Sequence, residues 1–150
     1  MEKIASFSVD HNKLDVGFYI SRIDGDIITY DMRTRKPNMG DYMDNLTMHS
    51  VEHMFATYIR NSDITENVIY FGPMGCQTGF YLLVRKETKE RVLDVVKSVL
   101  EKIIAHSGDI FGNTAIECGN YRNLNLDAAK LECKRYLKVL NSKEITFKYE

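Results

Sequence analysis

Two pairs of apolar segments predict four β-strands. In the first pair, residues 16–33, apolar and polar side chains alternate around Asp24-Gly25, which predicts a two-residue hairpin turn because glycine tolerates a positive φ. The second pair, residues 66–84, contains two nearly continuous apolar runs. Between these runs, residues 72–79 hold three glycines and one proline. That composition predicts a tight connection whose backbone comes close to a ligand.

Three further segments repeat apolar residues every three to four positions, which is the period of an amphipathic helix. The predicted helices cover residues 46–61, 88–106 and 125–140. Asn125 is placed to cap the last of them. Residues 1–14 and 34–45 lack such a period, so we expect them to be irregular.

The order of these elements, β-β-α-β-β-α-α, predicts an α+β fold. Adjacent hairpins favour an antiparallel sheet with helices packed on one of its faces. Ile145, Phe147 and Tyr149 alternate near the end of the chain, so residues 143–150 are expected to add a short edge strand. We expect residues 1–150 to form one domain.

Composition narrows the range of partners and locations. The chain has 150 residues and a formal net charge of −1, which gives no attraction to nucleic acid or to anionic membranes. No apolar run approaches the roughly 20 residues of a membrane span, and the first residues lack the apolar core of a signal peptide. The three cysteines are odd in number and far apart, which is typical of thiols or metal ligands in a reducing compartment. We therefore expect a cytoplasmic protein without a nucleic-acid or membrane partner.

The helix predicted at 46–61 carries a stripe of polar side chains opposite its apolar face. His49 and His53 are four residues apart, about one turn, so their imidazoles share a face and are able to bind one metal ion. Glu52 stands beside them, where it could move protons at such an ion. The pattern reads H-x-x-E-H, the order found in inverzincin peptidases. Two surface histidines at chance spacing remain the alternative for this helix alone.

The three cysteines stand in different surroundings. Cys76 lies in the glycine-rich connection, where a reactive thiol competes with the usual role of a small buried hydrophobe. Cys118 precedes Gly119 in a polar loop, which suits a metal thiolate, although the sequence alone leaves this open. Cys133 falls on the apolar face of the helix at 125–140, so we expect it in the core.

In this order, the motifs resemble those of one family. The H-x-x-E-H helix, the Pro-Met-Gly-Cys-Gln-Thr-Gly element at residues 73–79 and Cys118-Gly119 are similar to elements of the S-ribosylhomocysteine lyases, the autoinducer-2 synthases called LuxS. The resemblance runs essentially end to end, from residues 6–12 through Asp31-Met32-Arg33 to the helix that begins near Leu126.

The resemblance implies a cofactor, a set of site residues and an assembly. A ferrous ion, for which zinc or cobalt substitutes, is expected at His49, His53 and Cys118, with one position left open. The general acid–base groups are expected at Glu52 and Cys76. Residues that bind or orient the substrate are expected at Ser6, His11, Arg33 and Arg60, the last near the homocysteine end. The family also implies a homodimer whose sheets face each other, with two active sites at the interface.

The implied reaction converts S-ribosylhomocysteine into homocysteine and 4,5-dihydroxy-2,3-pentanedione, the precursor of the quorum-sensing signal autoinducer-2. The thioether is on ribose C5, so its elimination needs a carbanion-like centre at C4. A ketone at C3 stabilises that centre, whereas the aldehyde at C1 does not. The carbonyl must therefore move from C1 to C3 by proton shifts before homocysteine leaves. The released homocysteine connects the reaction to the activated methyl cycle.

The chain departs from the family pattern at two positions. Ser50 stands where threonine is common, which is a mild change. Tyr70 stands six residues before Cys76, where some relatives have aspartate, so the resemblance does not extend to this residue near the amino-acid end of the substrate.

Two other functions fit parts of the pattern. An inverzincin-like metallopeptidase shares H-x-x-E-H, but such enzymes usually take a distant carboxylate as third ligand and have a much larger chain. A non-enzymatic metal-binding domain would normally close its site with four protein ligands, and this chain offers three clear ones.

Overall fold

The computed structural model of the chain describes residues 1–149. Its strands are β1 (Gly17–Asp24), β2 (Ile27–Arg33), β3 (Val68–Pro73) and β4 (Gly79–Arg85). Its helices are α1 (Asn45–Ile59), α2 (Lys89–Ala105) and α3 (Leu126–Ser142), with short 3₁₀ turns at Ala5–Phe7 and Thr65–Asn67. The predicted order of elements and the α+β class are both confirmed.

The four strands form one antiparallel sheet in the order β1-β2-β4-β3. Alternate side chains from the sheet enter the core and pack with all three helices, among them Phe18, Tyr30, Met32, Phe80 and Leu82. The intervening side chains point to the opposite face, called here the uncovered face because α1, α2 and α3 pack on the other one. There Asp31 pairs in register with Tyr19 on one side and with Tyr81 on the other.

Two local predictions about the strands were wrong. Asp24 is still paired, with Ile27, so the first hairpin turns at Gly25 and Asp26 instead of at Asp24-Gly25. Gly25 has a φ of +62° at the first central position, as a type II′ turn requires. At the other end of the chain, residues 143–149 form no strand but a single parallel bridge between Phe147 and Tyr19. The predicted position 150 lies outside the described residues.

The helices begin at polar caps that satisfy free backbone N–H groups. Asp44 accepts from the Thr47 amide, Thr88 from the Arg91 amide and Asn125 from the Ala128 amide. The cap predicted at Asn125 is therefore confirmed. Across residues 1–149, every helix is too short or too polar to cross a membrane.

Candidate active site

The two histidines of α1 are held in one orientation by backbone carbonyls. Nδ1 of His49 lies 2.8 Å from the Asn123 carbonyl oxygen, and Nδ1 of His53 lies 2.8 Å from that of Phe111. A carbonyl oxygen only accepts, so each Nδ1 carries the proton and each Nε2 keeps its lone pair. This is the usual outer arrangement of metal-binding histidines, in which a second partner fixes the tautomer and the ring.

Cys118 completes a group of three potential ligands. Its Sγ lies 3.3 Å from Nε2 of His49, and the ligand atoms of His49, His53 and Cys118 all lie within 4.8 Å of one another. The backbone amide of Asn120 donates to Sγ at 3.4 Å. Two imidazoles and one thiolate are donors that suit zinc and ferrous iron, and three protein ligands leave a position for substrate or water. The residues present therefore fit a catalytic divalent metal.

Hydrogen bonds from α1 anchor the loop that leads from Cys118 to α3. Ser50, fully buried, donates through Oγ to the Leu46 carbonyl and accepts from the Asn125 amide at 2.8 Å. Asn123 donates from Nδ2 to Oδ1 of Asn45. The serine in place of threonine thus still supplies a hydroxyl that ties the ligand-bearing loop to the ligand-bearing helix.

Residues 106–111, which supply the Phe111 carbonyl, are anchored to α1 by other contacts. The first of them, His106, bonds through Nδ1 to the Tyr58 hydroxyl at 2.8 Å and donates through Nε2 to the Asp109 carbonyl. The ring of Phe111 packs edge-on against both Tyr58 and His106. Tyr58 of α1 therefore helps to fix the backbone that orients His53.

Glu52 and Arg60 lie on the same stripe of α1 as the two histidines. Glu52 is half-buried beside them, whereas Arg60 is exposed at the C-terminal end of α1. Nη2 of Arg60 donates to the Ile69 carbonyl at 2.9 Å, next to Tyr70. The Tyr70 ring lies over Gly72, where a β-carbon would clash with its hydroxyl. Arg60 thus ties the C-terminal end of α1 to the backbone of β3.

Cys76 occupies an exposed position in the β3–β4 connection, beside a buried arginine. Nη1 of Arg33 lies 3.9 Å from Sγ of Cys76 and donates to Oγ1 of Thr78 at 2.8 Å, and that Oγ1 is 3.0 Å from Sγ. On the other side of the guanidinium, the Asp31 carboxylate accepts hydrogen bonds from Nε and Nη2 of Arg33. Burial opposes the charge on Arg33, but the Asp31 carboxylate outweighs it and raises the pKa of Arg33. A permanent cation therefore stands beside the thiol.

The connection that carries Cys76 is joined to the start of α1. The Met43 amide donates to the Gln77 carbonyl at 3.0 Å, and Nε2 of Gln77 donates back to the Met43 carbonyl at 2.7 Å. Met43 directly precedes the Asp44 cap of α1. These two hydrogen bonds fix the position of Cys76 relative to the helix that carries His49, Glu52 and His53.

The predicted site residues thus form two groups. One contains His49, His53 and Cys118, with Glu52 on the same helix, and the other contains Arg33 and Cys76. No hydrogen bond or ion pair among residues 1–149 joins a side chain of one group to a side chain of the other.

Ser6 and His11 lie in the N-terminal segment, and no hydrogen bond among residues 1–149 joins either side chain to one of the two groups. Ser6 is in the first 3₁₀ turn and lines the same surface pocket as Tyr81. His11 donates from Nδ1 to the Val9 carbonyl within its own turn.

Comparison with known proteins places the chain in a family. A model of the S-ribosylhomocysteinase (LuxS) family matches residues 4–146. The chain belongs to the S-ribosylhomocysteinase family. This confirms the resemblance noted in the sequence, and the matched span contains all the predicted site residues.

Individual relatives cover nearly the whole chain. It is 43% identical to an S-ribosylhomocysteine lyase of Borrelia garinii subsp. bavariensis, with 99% of both chains aligned. It is 44% identical to an S-ribosylhomocysteine lyase of Finegoldia magna over 95% of this chain and 94% of the relative. A third S-ribosylhomocysteine lyase, from Clostridium beijerinckii, is 43% identical over 91% of this chain and 90% of its own length.

Several residues around the candidate active site were missed in the sequence. Asp31 had a usable signal, because it lies two residues before Arg33 on the same face of a strand. Thr78 and Gln77 stand in the connection already singled out for Cys76. The carbonyls of Phe111 and Asn123 carry no side-chain signal, so only the folded structure identifies them.

Proposed function

We propose that this chain is an S-ribosylhomocysteine lyase, with a metal held by His49, His53 and Cys118 and with Glu52 and Cys76 as its proton-transfer groups. The carbon–sulfur lyase class follows from membership of the S-ribosylhomocysteinase family. The assignment of residues is supported by three potential ligand atoms that lie within 4.8 Å of one another, two of them on the helix that also carries Glu52. The expected products are homocysteine and 4,5-dihydroxy-2,3-pentanedione.

The proposed resident ion is ferrous iron, with zinc or cobalt as substitutes. Each histidine presents Nε2 to the centre because its Nδ1 is engaged by a carbonyl. Such an ion would act as a Lewis acid toward oxygen atoms of the sugar. The chain itself leaves one position open for substrate or water and offers Glu52 and Cys76 as candidate proton carriers.

Glu52 is proposed to move protons between carbon and oxygen during carbonyl migration. It sits on rigid helix between the two histidines, so its carboxylate stays close to a sugar bound there. Each shift of the carbonyl removes a proton from one carbon and returns one to its neighbour, so a carboxylate that both accepts and donates is suited to the task.

Cys76 is proposed as the second acid–base group. Its exposed thiol is open to substrate, while the guanidinium of Arg33 and the hydroxyl of Thr78 are placed to hold a thiolate. In the last step, a base removes the proton from C4 and the C5–S bond breaks. The homocysteine sulfur leaves with the electron pair and takes up a proton. A thiolate or a carboxylate is able to act as the base in this step, and its protonated form is able to supply the proton.

Substrate contacts are proposed at Ser6, His11, Arg33 and Arg60. Arg33 is only 2% exposed, so we propose that it acts mainly through Cys76. Arg60 uses one N–H on the Ile69 carbonyl and keeps other donors for the carboxylate of the homocysteine moiety.

We further propose a homodimer that pairs the uncovered faces of two sheets. That face carries aromatic side chains, with Tyr19 and Tyr81 half-buried, while Ile4 and Phe7 of the N-terminal segment are exposed. A second copy would cover them and could bring the groups around Cys76 and Glu52 together. Sedimentation equilibrium should give twice the chain mass. The three free thiols also favour the reducing cytoplasm as its location.

The function is tested with protein prepared without oxygen. The metal is removed with a chelator, ferrous iron is restored, and free thiol is followed after addition of S-ribosylhomocysteine. Thiol should appear only in the restored sample. Cleavage of peptides by the loaded protein would favour a metallopeptidase. If folded, metal-loaded protein releases no thiol, the result would favour a non-enzymatic metal-binding domain.

A further inference from the structure

The C-terminal tail returns to the sheet after α3. The Ile20 amide donates to the Phe147 carbonyl at 2.8 Å, and the ring of Phe147 is buried edge-on against Phe18. Phe147 has a φ of +64°, in the left-handed region that bulky residues rarely adopt. Burial of its ring holds this conformation, which turns the following residues onto the uncovered face of the sheet.

Tyr149 reaches the buried ion pair on that face. Its ring stacks on Tyr19, with centroids 5.1 Å apart, and its hydroxyl donates to Oδ2 of Asp31 at 2.9 Å. Burial and the Asp31 carboxylate raise the pKa of Tyr149, so the hydroxyl remains a donor at neutral pH. Tyr149 lies three residues beyond the end of the family match at residue 146.

The geometry of Arg33 transmits this contact to Cys76. Asp31 binds Nε at 3.1 Å and Nη2 at 2.6 Å, and both side chains are almost fully buried. The guanidinium is a rigid plane, so a carboxylate bound to two of its nitrogens determines where the third one points. That third nitrogen, Nη1, points to Thr78 and Cys76.

We infer that Tyr149 is a positioning residue, which holds Asp31 so that Arg33 stays aimed at the thiol of Cys76. A buried carboxylate with two bonds to arginine still has free lone pairs, and the Tyr149 hydroxyl fills one of them. The stacked ring also shields the ion pair from water. The expected loss of catalytic rate rests on the proposed role of Cys76, whereas the expected change in the reactivity of its thiol does not.

The test compares the full chain with Tyr149→Phe, which keeps the stacked ring and removes the hydroxyl. The matched control is Tyr19→Phe, the same change in the ring stacked on it, whose hydroxyl bonds the Asp15 carbonyl instead. The rate at which iodoacetamide alkylates Cys76 at pH 7 is measured by mass spectrometry of the peptide that contains it. Melting temperatures establish that each variant is folded.

Tyr149→Phe should slow alkylation of Cys76 about fivefold, the factor expected for one lost hydrogen bond of about 1 kcal/mol, and Tyr19→Phe should leave it within about twofold of wild type. In the thiol-release assay, kcat should fall by a similar factor with KM little changed. Alkylation of Cys76 at the wild-type rate in folded Tyr149→Phe protein, or equal slowing in both variants, would overturn the inference. If Tyr149→Phe does not fold, a chain ending at Lys148 takes its place, with the same expected and contrary results.

Failure of the lyase assignment and failure of the positioning role of Tyr149 would give different results. If wild-type protein releases no thiol from S-ribosylhomocysteine, the lyase assignment fails while the alkylation comparison still decides the role of Tyr149. If release is normal and alkylation of Cys76 does not respond to Tyr149→Phe, the positioning role alone is refuted.

Discussion

Gly112 stands directly against the imidazole of His53. A β-carbon on Gly112 would lie 2.9 Å from Nδ1 and 3.2 Å from Cε1, which is closer than side-chain carbons normally approach. Gly112 also has a φ of +69°, in the left-handed region. Its small size therefore lets the preceding Phe111 carbonyl come within hydrogen-bond distance of the same ring.

Gly112→Ala should weaken metal binding. The added methyl group would push His53 away from the Phe111 carbonyl, and loss of such an outer partner typically lowers metal affinity about 10- to 100-fold. Affinity is measured by competition with a chromogenic chelator. Gly108→Ala is the matched control, because Gly108 also has a positive φ but a β-carbon there would meet nothing within 4 Å. Equal losses in both variants would contradict a specific role of Gly112.

Cys118 and Cys133 should respond differently to the same substitution. Cys118→Ala should remove the sulfur ligand, so that metal content measured after dialysis falls well below one ion per chain. Cys133 is buried in the core, and burial raises its pKa, so it stays a neutral thiol. Cys133→Ala should keep its metal and lower the free energy of unfolding by about 1–2 kcal/mol through a small cavity. Retention of metal by Cys118→Ala would refute the proposed ligand set.

Gln77→Ala should separate the Cys76 connection from α1. It removes one of the two bonds to Met43 and places alanine at a φ of +65°, which costs further stability. Because Cys76 would lose its fixed position relative to Glu52, kcat for thiol release should fall by about tenfold, while metal content stays at wild type. A normal kcat in this variant would show that the bond is structural only.

Asp41 should make the fold sensitive to acid. The hydrogen bond from Arg135, and then the charge of Arg35, lower the pKa of Asp41 below its ordinary value of 3.8. A lowered folded pKa means that the stabilisation is complete above about pH 4 and is lost as the pH falls through the folded pKa.

Asp41→Asn should therefore cost stability at pH 7 and little at about pH 2, as measured by urea unfolding. Asp41 is exposed, so solvent screening limits the effect at pH 7 to about 1 kcal/mol or less. Asp94→Asn, on the exposed face of α2, serves as the control. A loss that is the same at both pH values would show that the ion pairs of Asp41 do not cause it.

The sequence predicted that His49 and His53 lie together because the signal for their clustering is local. The four-residue spacing of His49 and His53 defines one helix face whatever the rest of the fold does. The hairpin and helix periods likewise predicted the order of elements and the antiparallel sheet. The third member of the cluster, Cys118, is 65 residues from His53 in the sequence, and no local pattern places it there. Its assignment depended on the family resemblance.

The missed features depend on backbone geometry. The alternation of Ile145, Phe147 and Tyr149 suggested a strand, but the left-handed φ of Phe147 ends the pairing after one bridge and redirects Tyr149 toward Asp31. Asp24 continues the pairing with Ile27, so the hairpin turn lies one residue later than its Asp-Gly signal indicated. Tertiary pairing decides both cases, and the residue types alone do not encode it.

Cys76 is proposed to carry protons in a lyase reaction at a metal that other residues hold. The most direct measurement is thiol release from S-ribosylhomocysteine by Cys76→Ala protein, with its metal content determined in the same sample. We expect a full complement of metal and a rate lower by about 10²–10⁴-fold, the usual contribution of a general acid–base group. Release at the wild-type rate from metal-loaded Cys76→Ala protein would contradict it.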